Sequence, residues 1–428
     1  MRRKHLRPPI GALFKSTDAG FCICPRKSFG GYQLAPPTSV TMMPNVTPPG
    51  RLFFLDWLRI IAFAVLVLYH VGMYYVTWDF HLKSPHASAL LEPWMRLVSP
   101  WRMDLLFLVS GAATSFMLLR GGASGALLRI RARRLLIPLA FGMLVVVPPQ
   151  SWLEVGQKLG YGGAYFDFLP LYLTGYKGFC FAPNSCLMLP TWNHLWFLPY
   201  LFLYTLMLWL LARWQPGLID RVAQRLPRWF KGAGLLLWPI LFLTVSNLAL
   251  RKHFPVTHSL AGDWFAHSQF FAVFLLGVVL ARAPLLWLSM ARLRWLALVL
   301  ALAAWLLLIQ GNWLRLANGV SLGAVGSAVY SVQQWCAMVA ALGFASIYLN
   351  HDGPLRRYLT QAVFPVYVLH QTILVGLAYA LLPMQLQPGV EGVLLVLGTL
   401  ATSLIGFELI RRLSWVRPLV GLAEKNRF

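Results

Sequence analysis

From about residue 53 to residue 412 the chain is a succession of long apolar stretches, most of them near or above the roughly 17–25 residues an α-helix needs to cross a bilayer. Ten spans can be drawn, at 53–77, 101–119, 135–153, 193–212, 233–250, 268–282, 293–311, 324–349, 360–382 and 391–410, the sixth being the shortest. With 58% hydrophobic and only 12% charged residues, and a mean hydropathy of +0.63, the solvent for such a chain is the lipid bilayer. The expected fold is all-α: one polytopic membrane domain over 51–428 with about ten transmembrane helices.

A formal charge of +24 would suggest nucleic acid in a soluble protein. Here the lysines and arginines sit between apolar stretches, where they orient helices and meet anionic headgroups, so no nucleic-acid partner is expected. Segments 120–134, 213–231, 282–294, 350–357 and 411–428 together hold 20 Lys and Arg, whereas 78–100, 150–192, 251–267, 312–323 and 383–390 hold 7. The positive-inside rule places the first set, and with it both termini, in the cytoplasm.

Residues 1–50 are basic, proline-rich and without a continuous apolar run, so they read as a disordered tail rather than a signal or a span. Met42 and Met43 stand just before the first apolar segment and mark an alternative start, so no function is rested on the tail. The five cysteines, Cys22, Cys24, Cys180, Cys186 and Cys336, have no partners at zinc-site spacing, and no metal is expected. Cys180 and Cys186 share the longest outer connection, 150–192, and can pair if that side is oxidising. The same connection carries Tyr161, Tyr165, Phe166, Phe168, Tyr172, Tyr176 and Phe179, which suit an interfacial cap better than a sugar-stacking platform.

Ionisable groups inside a membrane cost about 2.5–3.5 kcal/mol each on insertion scales, so each is a functional candidate. The first span, LDWLRIIAFAVLVLYH, holds Asp56, Arg59 and His70. Eleven residues at about 100° each bring His70 back to within roughly 20° of Arg59, and the rise of about 1.5 Å per residue separates the two by roughly 16.5 Å along one stripe. The plain alternative is that Arg59 snorkels to inner headgroups and His70 bonds a neighbouring helix. SPWRMDLLFLVSG, opening the second span, brings Arg102 and Asp104 to the level of His70, and its Ser110–Gly111 suits close helix packing. Asp104 or Glu154 could orient the imidazole, as the base of an acyl-transfer site requires. RIRARRLLIP gathers Arg129, Arg131, Arg133 and Arg134 on the basic side, suited to phosphate but equally a product of the positive-inside rule. His194 in WNHLWFLPY and His370 in FPVYVLHQ read first as structural groups, and Glu408 as the partner of a cytoplasmic arginine.

These residues, in this order, resemble the acyltransferase-3 family of membrane proteins, and within it the glucans biosynthesis protein C type, from about 52 to 424. The most specific element is an arginine, ten residues and a histidine in the first span, here Arg59 and His70. SPWRMDLLFLVSG, Arg131 and Arg134 before IP, HLWFLPY, FPVYVLHQ, and FELIRR with RPLVGL support it. The resemblance implies an inner-membrane enzyme of bacteria, with no permanently bound cofactor. It would move a succinyl or acetyl group from cytoplasmic acyl-CoA, its co-substrate, to a hydroxyl of an envelope or periplasmic glucan. On that reading His70 is the catalytic residue, as general base or through an acyl-histidine; Arg102 stabilises an oxyanion, Asp104 assists the histidine, and Arg59, Arg131 and Arg134 hold the CoA. The competing reading is a transporter or flippase for a carbohydrate or lipid-linked substrate, against which stands the absence of any internal duplication of the apolar pattern.

Overall fold

The computed structural model describes residues 52–182, 185–318 and 323–423, so the basic tail, its expected disorder, the alternative start and the Cys22/Cys24 pair lie outside the described residues. The described chain is helical apart from a small hairpin, as the apolar periodicity predicts. Its helices are α1 (Phe53–Tyr75), α2 (Glu92–Val98), α3 (Arg102–Gly121), α4 (Gly125–Phe141), α5 (Pro148–Leu159), α6 (Tyr165–Leu173), α7 (Phe197–Trp214), α8 (Leu218–Trp229), α9 (Gly234–Leu250), α10 (Trp264–Leu280), α11 (Pro284–Asn318), α12 (Gly323–Tyr348), α13 (Pro354–Leu381) and α14 (Pro388–Ile410).

Seven helical stretches are long and apolar enough to cross a membrane among the described residues, and eight if α8 and α9, bent by 109° at their junction, make one span. The chain is therefore a multi-pass membrane protein. Three of the ten expected spans are helical but do not meet that test as single helices. α9 and α10 have 17 residues each, the low end for crossing a bilayer. The third runs through a π turn at Gly142–Val146 between α4 and α5, followed by Pro148 and Pro149. The carbonyls of that turn are not left bare: Thr372 Oγ1 donates to Val146 O at 2.7 Å and Tyr172 Oη to Met143 O at 2.9 Å.

Lateral bonds join segments that the charge count put on one side. At the basic end Trp57 Nε1 donates to His351 O at 3.3 Å and Arg282 pairs with Asp220 at 2.5 Å. Arg411 pairs with Glu408 at 2.7 Å, the partner expected for that glutamate. At the other end Lys158 bridges Asp79 (2.7 Å) and Glu154 (2.8 Å), His81 bonds Glu154 at 2.5 Å, and Tyr74 and Tyr75 reach the buried Glu391 at 3.2 and 2.8 Å. Cys180 and Cys186 are disulfide-bonded across the hairpin of β1 (Cys180–Ala182) and β2 (Ser185–Cys186). Of the aromatics in that connection, Phe168, Tyr172 and Phe179 are buried in a satellite core with Val155 and Leu189, while Phe166 is exposed. The cluster is thus part packed core and part open surface, Tyr176 being exposed as well.

α3 and α10 touch backbone to backbone. A Cβ on Gly111 would collide with the carbonyl of Phe274, and one on Gly277 with the carbonyl of Leu108, so both glycines are required by the approach of the other helix. Gly111→Ala is expected to cost about 1–3 kcal/mol, the range for overpacking a tight contact, and to lower the thermal midpoint of the detergent-solubilised protein. An unchanged midpoint would show that the helices separate freely.

Candidate active site

α1 and α13 run in the same direction and are joined at two heights. Near the basic end Arg356 Nη1 donates to Asp56 Oδ2 at 2.5 Å. Fourteen residues further along each helix, His70 Nδ1 faces His370 Nε2 at 2.9 Å. Equal separations on two parallel helices rise together at about 1.5 Å per residue, so one packing register satisfies both contacts. Two members of the stripe, Asp56 and His70, are therefore a seam against α13.

The hydrogen-bond network fixes the protons of the two histidines. His370 Nδ1 lies 2.7 Å from the carbonyl oxygen of Tyr367, which can only accept, so Nδ1 carries hydrogen and Nε2 of the neutral ring carries a lone pair. That lone pair accepts from His70 Nδ1–H, which leaves His70 Nε2 as the basic nitrogen. The rings are nearly coplanar in orientation, 2° apart with centroids at 5.1 Å. A third histidine, His194, meets His370 edge-on at 5.2 Å; its Nε2 donates to Val368 O at 3.1 Å. Gln150 ties this region together, its Nε2 donating to Thr372 Oγ1 at 2.6 Å while its Oε1 accepts from Gln371 and Asn193, both at 3.2 Å.

Asp104 and Glu154 are the two acids the sequence offers as partners of His70, and the structure bonds neither of them to it directly. Glu154 is engaged by His81 and Lys158 on the outer connections. Asp104 sits in the first turn of α3 with Oδ2 accepting from Gln334 Nε2 at 3.1 Å, and neither acid bonds His70. His370 takes the position because α13, not α3 or α5, packs its polar stripe on that of α1.

His70, Arg102, Asp104 and His194 nonetheless line one cavity of about 280 Å³, with Gln269, Gln334 and Tyr330. The Arg102 guanidinium lies over the ring of Tyr69 at 3.3 Å from its centroid. Its Nε and Nη1, and Asp104 Oδ1, are buried and make no hydrogen bond among the described residues. Buried polar atoms are ordinarily satisfied, so a polar guest entering this cavity would find donors in Arg102 and an acceptor in Asp104. The arrangement can take a proton from a hydroxyl at His70 Nε2 and present cationic N–H groups to a developing oxyanion.

The loop between α9 and α10 contributes Val256 and His258 to the lining of this cavity. His258 stacks on Trp196 at 4.1 Å and has a left-handed backbone, φ +57°. That conformation is held because Asp263 Oδ2 accepts from its N–H at 3.1 Å and its carbonyl accepts from Trp192 Nε1 at 2.9 Å. Burial pushes the His258 imidazole down from 6.5 to about 4, against the raising effect of Asp263 and with the help of Arg102. The unfolded chain thus binds a proton that the folded chain refuses, so the contribution of this loop is complete above pH 6.5 and lost as pH falls toward 4. The thermal midpoint of the unaltered protein should fall over that window more steeply than that of His258→Gln; parallel curves would remove the account.

The three arginines of the basic end are also brought together. Arg131, nearly buried, bonds Thr114 Oγ1 and lies close enough to Arg59 and Arg134 for their charges to oppose its own. Its Nε makes no hydrogen bond among the described residues. Arg59 lies 3.5 Å from Asp56, which it shares with Arg356. A cluster of like charges at the foot of α1 is stabilised by an anion, and a multiply phosphorylated one would suit it. His370, which by its sequence reads first as a structural group, is the residue that His70 meets. The only signal was its place in FPVYVLHQ, because a partner 300 positions away leaves no trace in the local pattern.

A family model described as an acyltransferase domain, that of the acyltransferase-3 proteins, covers residues 52–408. No curated protein and no solved structure matches the chain.

Proposed function

Because the chain belongs to the acyltransferase-3 family and is a membrane acyltransferase, we propose that it moves a succinyl or acetyl group from acyl-CoA, held at the cytoplasmic basic end, to a hydroxyl of an envelope or periplasmic glucan at the other side of the bacterial inner membrane. The observation that carries the reading is the chain of bonds from Tyr367 O through His370 to His70, which leaves a basic nitrogen in a cavity with unspent polar groups. The distribution of charge supports the sidedness, and the Cys180–Cys186 disulfide supports an oxidising outer compartment.

The CoA phosphates lie at Arg59, Arg131 and Arg134, and the pantetheine arm follows α1 over the roughly 16.5 Å that eleven helical residues rise. The acceptor hydroxyl gives its proton to His70 Nε2 as its oxygen attacks the thioester carbonyl. Arg102 faces the oxyanion. The C–S bond then breaks, the thiolate takes the proton back from the imidazolium, and the ester and free CoA leave. His370 acts through His70: it keeps the tautomer and accepts from Nδ1–H in both charge states. The resemblance to the glucans biosynthesis protein C type suggests succinyl transfer to periplasmic glucan, while acetyl transfer would use the same core.

The test is mass spectrometry of envelope glycans from cells with and without the gene. Lost ester groups are expected. Unchanged esters would overturn the reading, and glycan that is unmodified in both but mislocated without the gene would replace it with a flippase.

A further inference from the structure

The outer side carries few basic residues, and three of them converge. Arg96 on α2, Arg251 at the end of α9 and Arg315 near the end of α11 line a second cavity, about 360 Å³, that contains no Asp or Glu among its lining residues. It shares Ser99, Pro100 and Tyr330 with the cavity of His70, so the two are neighbours through one wall. Arg96 lies over the ring of Trp78 at 5.1 Å and Arg251 over that of Tyr330 at 5.3 Å, which limits the freedom of both side chains. Arg96 has Glu92 at 3.4 Å, whereas neither Arg251 nor Arg315 pairs with a carboxylate among the described residues. Arginines on this side run against the positive-inside bias, and headgroup anchoring does not explain three from separate elements turned into one concave site.

We propose that this cavity is an acceptor subsite for an anionic substituent: the carbohydrate that receives the acyl group carries a phosphate or carboxylate, gripped by Arg96, Arg251 and Arg315 while a neighbouring hydroxyl enters past Tyr330 to His70. The inference rests on the acyltransferase reading and adds the charge of its acceptor. Planar guanidinium groups match either oxyanion with paired N–H bonds, and the rings of Trp78 and Tyr330 hold Arg96 and Arg251 in place for it.

Binding tests it separately from chemistry. The full chain in phosphatidylcholine nanodiscs is titrated with a phosphorylated maltooligosaccharide, a carboxylated one and the unsubstituted oligosaccharide, alongside Arg251→Gln/Arg315→Gln and His70→Ala. At least one anionic oligosaccharide should bind about tenfold or more tightly than the neutral one; the preference should vanish in the double variant and persist in His70→Ala. Which anion wins distinguishes phosphate from carboxylate. Equal binding of all three, or a preference untouched by the double substitution, would overturn the proposal. So would loss of the preference when phosphatidylglycerol is added to the discs, since the occupant would then be a lipid headgroup. If the preference holds but the unaltered protein transfers no acyl group from acyl-CoA to the bound oligosaccharide, it is the acyltransferase reading that fails.

Discussion

His70→Ala removes acyl transfer, by roughly 10³-fold or more, in protein that still inserts in the membrane and elutes as the unaltered protein does. General acid–base groups contribute about 10²–10⁴ in rate, and in the proposed mechanism the same imidazole accepts the hydroxyl proton and returns it to the thiolate, so both halves of the reaction would lose their carrier. The fold should survive, because His70 is only part-buried and gives up one hydrogen bond, to His370. The check is initial rate of ester formation with saturating acyl-CoA, together with the thermal midpoint. A variant of normal midpoint and normal rate would end the mechanism; slowed transfer with a trapped acyl-protein in the unaltered enzyme would turn it toward an acyl-histidine.

The second large effect belongs to His370. In His370→Leu the lone pair that accepts from His70 Nδ1–H is gone, the imidazole can adopt either tautomer and either ring flip, and the rate is expected to fall about 10²-fold, within the range typical of a mispositioned base. His370→Gln keeps an acceptor in its side-chain carbonyl and should recover most of that loss, to within roughly tenfold of the unaltered rate. A merely structural histidine would give the opposite ranking or none. Both variants should leave the KM for acyl-CoA in place if the proposal holds, since the arginines proposed to hold the donor, Arg59, Arg131 and Arg134, gather about the foot of α1, eleven residues or roughly 16.5 Å below His70. A raised KM with unchanged kcat would assign His370 to binding instead.

How far the sequence anticipated this arrangement depended on the range of the interaction. Local ones were legible: the apolar runs became helices, Glu408 found Arg411 three positions on, and Gly111 lies where α3 meets α10. The stripe of Asp56, Arg59 and His70 was computable from helical geometry, and so was the gathering of Arg131 and Arg134 at one end. What the stripe faces was not. Helix α13 packs on α1 through residues 300 positions apart, and periodicity says which face of a helix is polar but not which helix covers it. The choice of Asp104 or Glu154 as the partner of His70 followed chemical custom, whereas the fold gave those acids to Gln334 and to Lys158 with His81. The third span was drawn as continuous over 135–153; the π turn at Gly142–Val146 that interrupts it accepts hydrogen bonds from Tyr172 and Thr372, partners that only packing supplies.

The central claim is that an acyl group enters at one membrane face and leaves as an ester at the other, through His70. Proteoliposomes sorted for one orientation, with radiolabelled acyl-CoA only on the side of the Arg59–Arg131–Arg134 cluster and oligosaccharide only on the side of the Cys180–Cys186 hairpin, measure it directly. The account predicts labelled ester on the oligosaccharide, absent with His70→Ala. Ester formed only when both substrates share one side would contradict it.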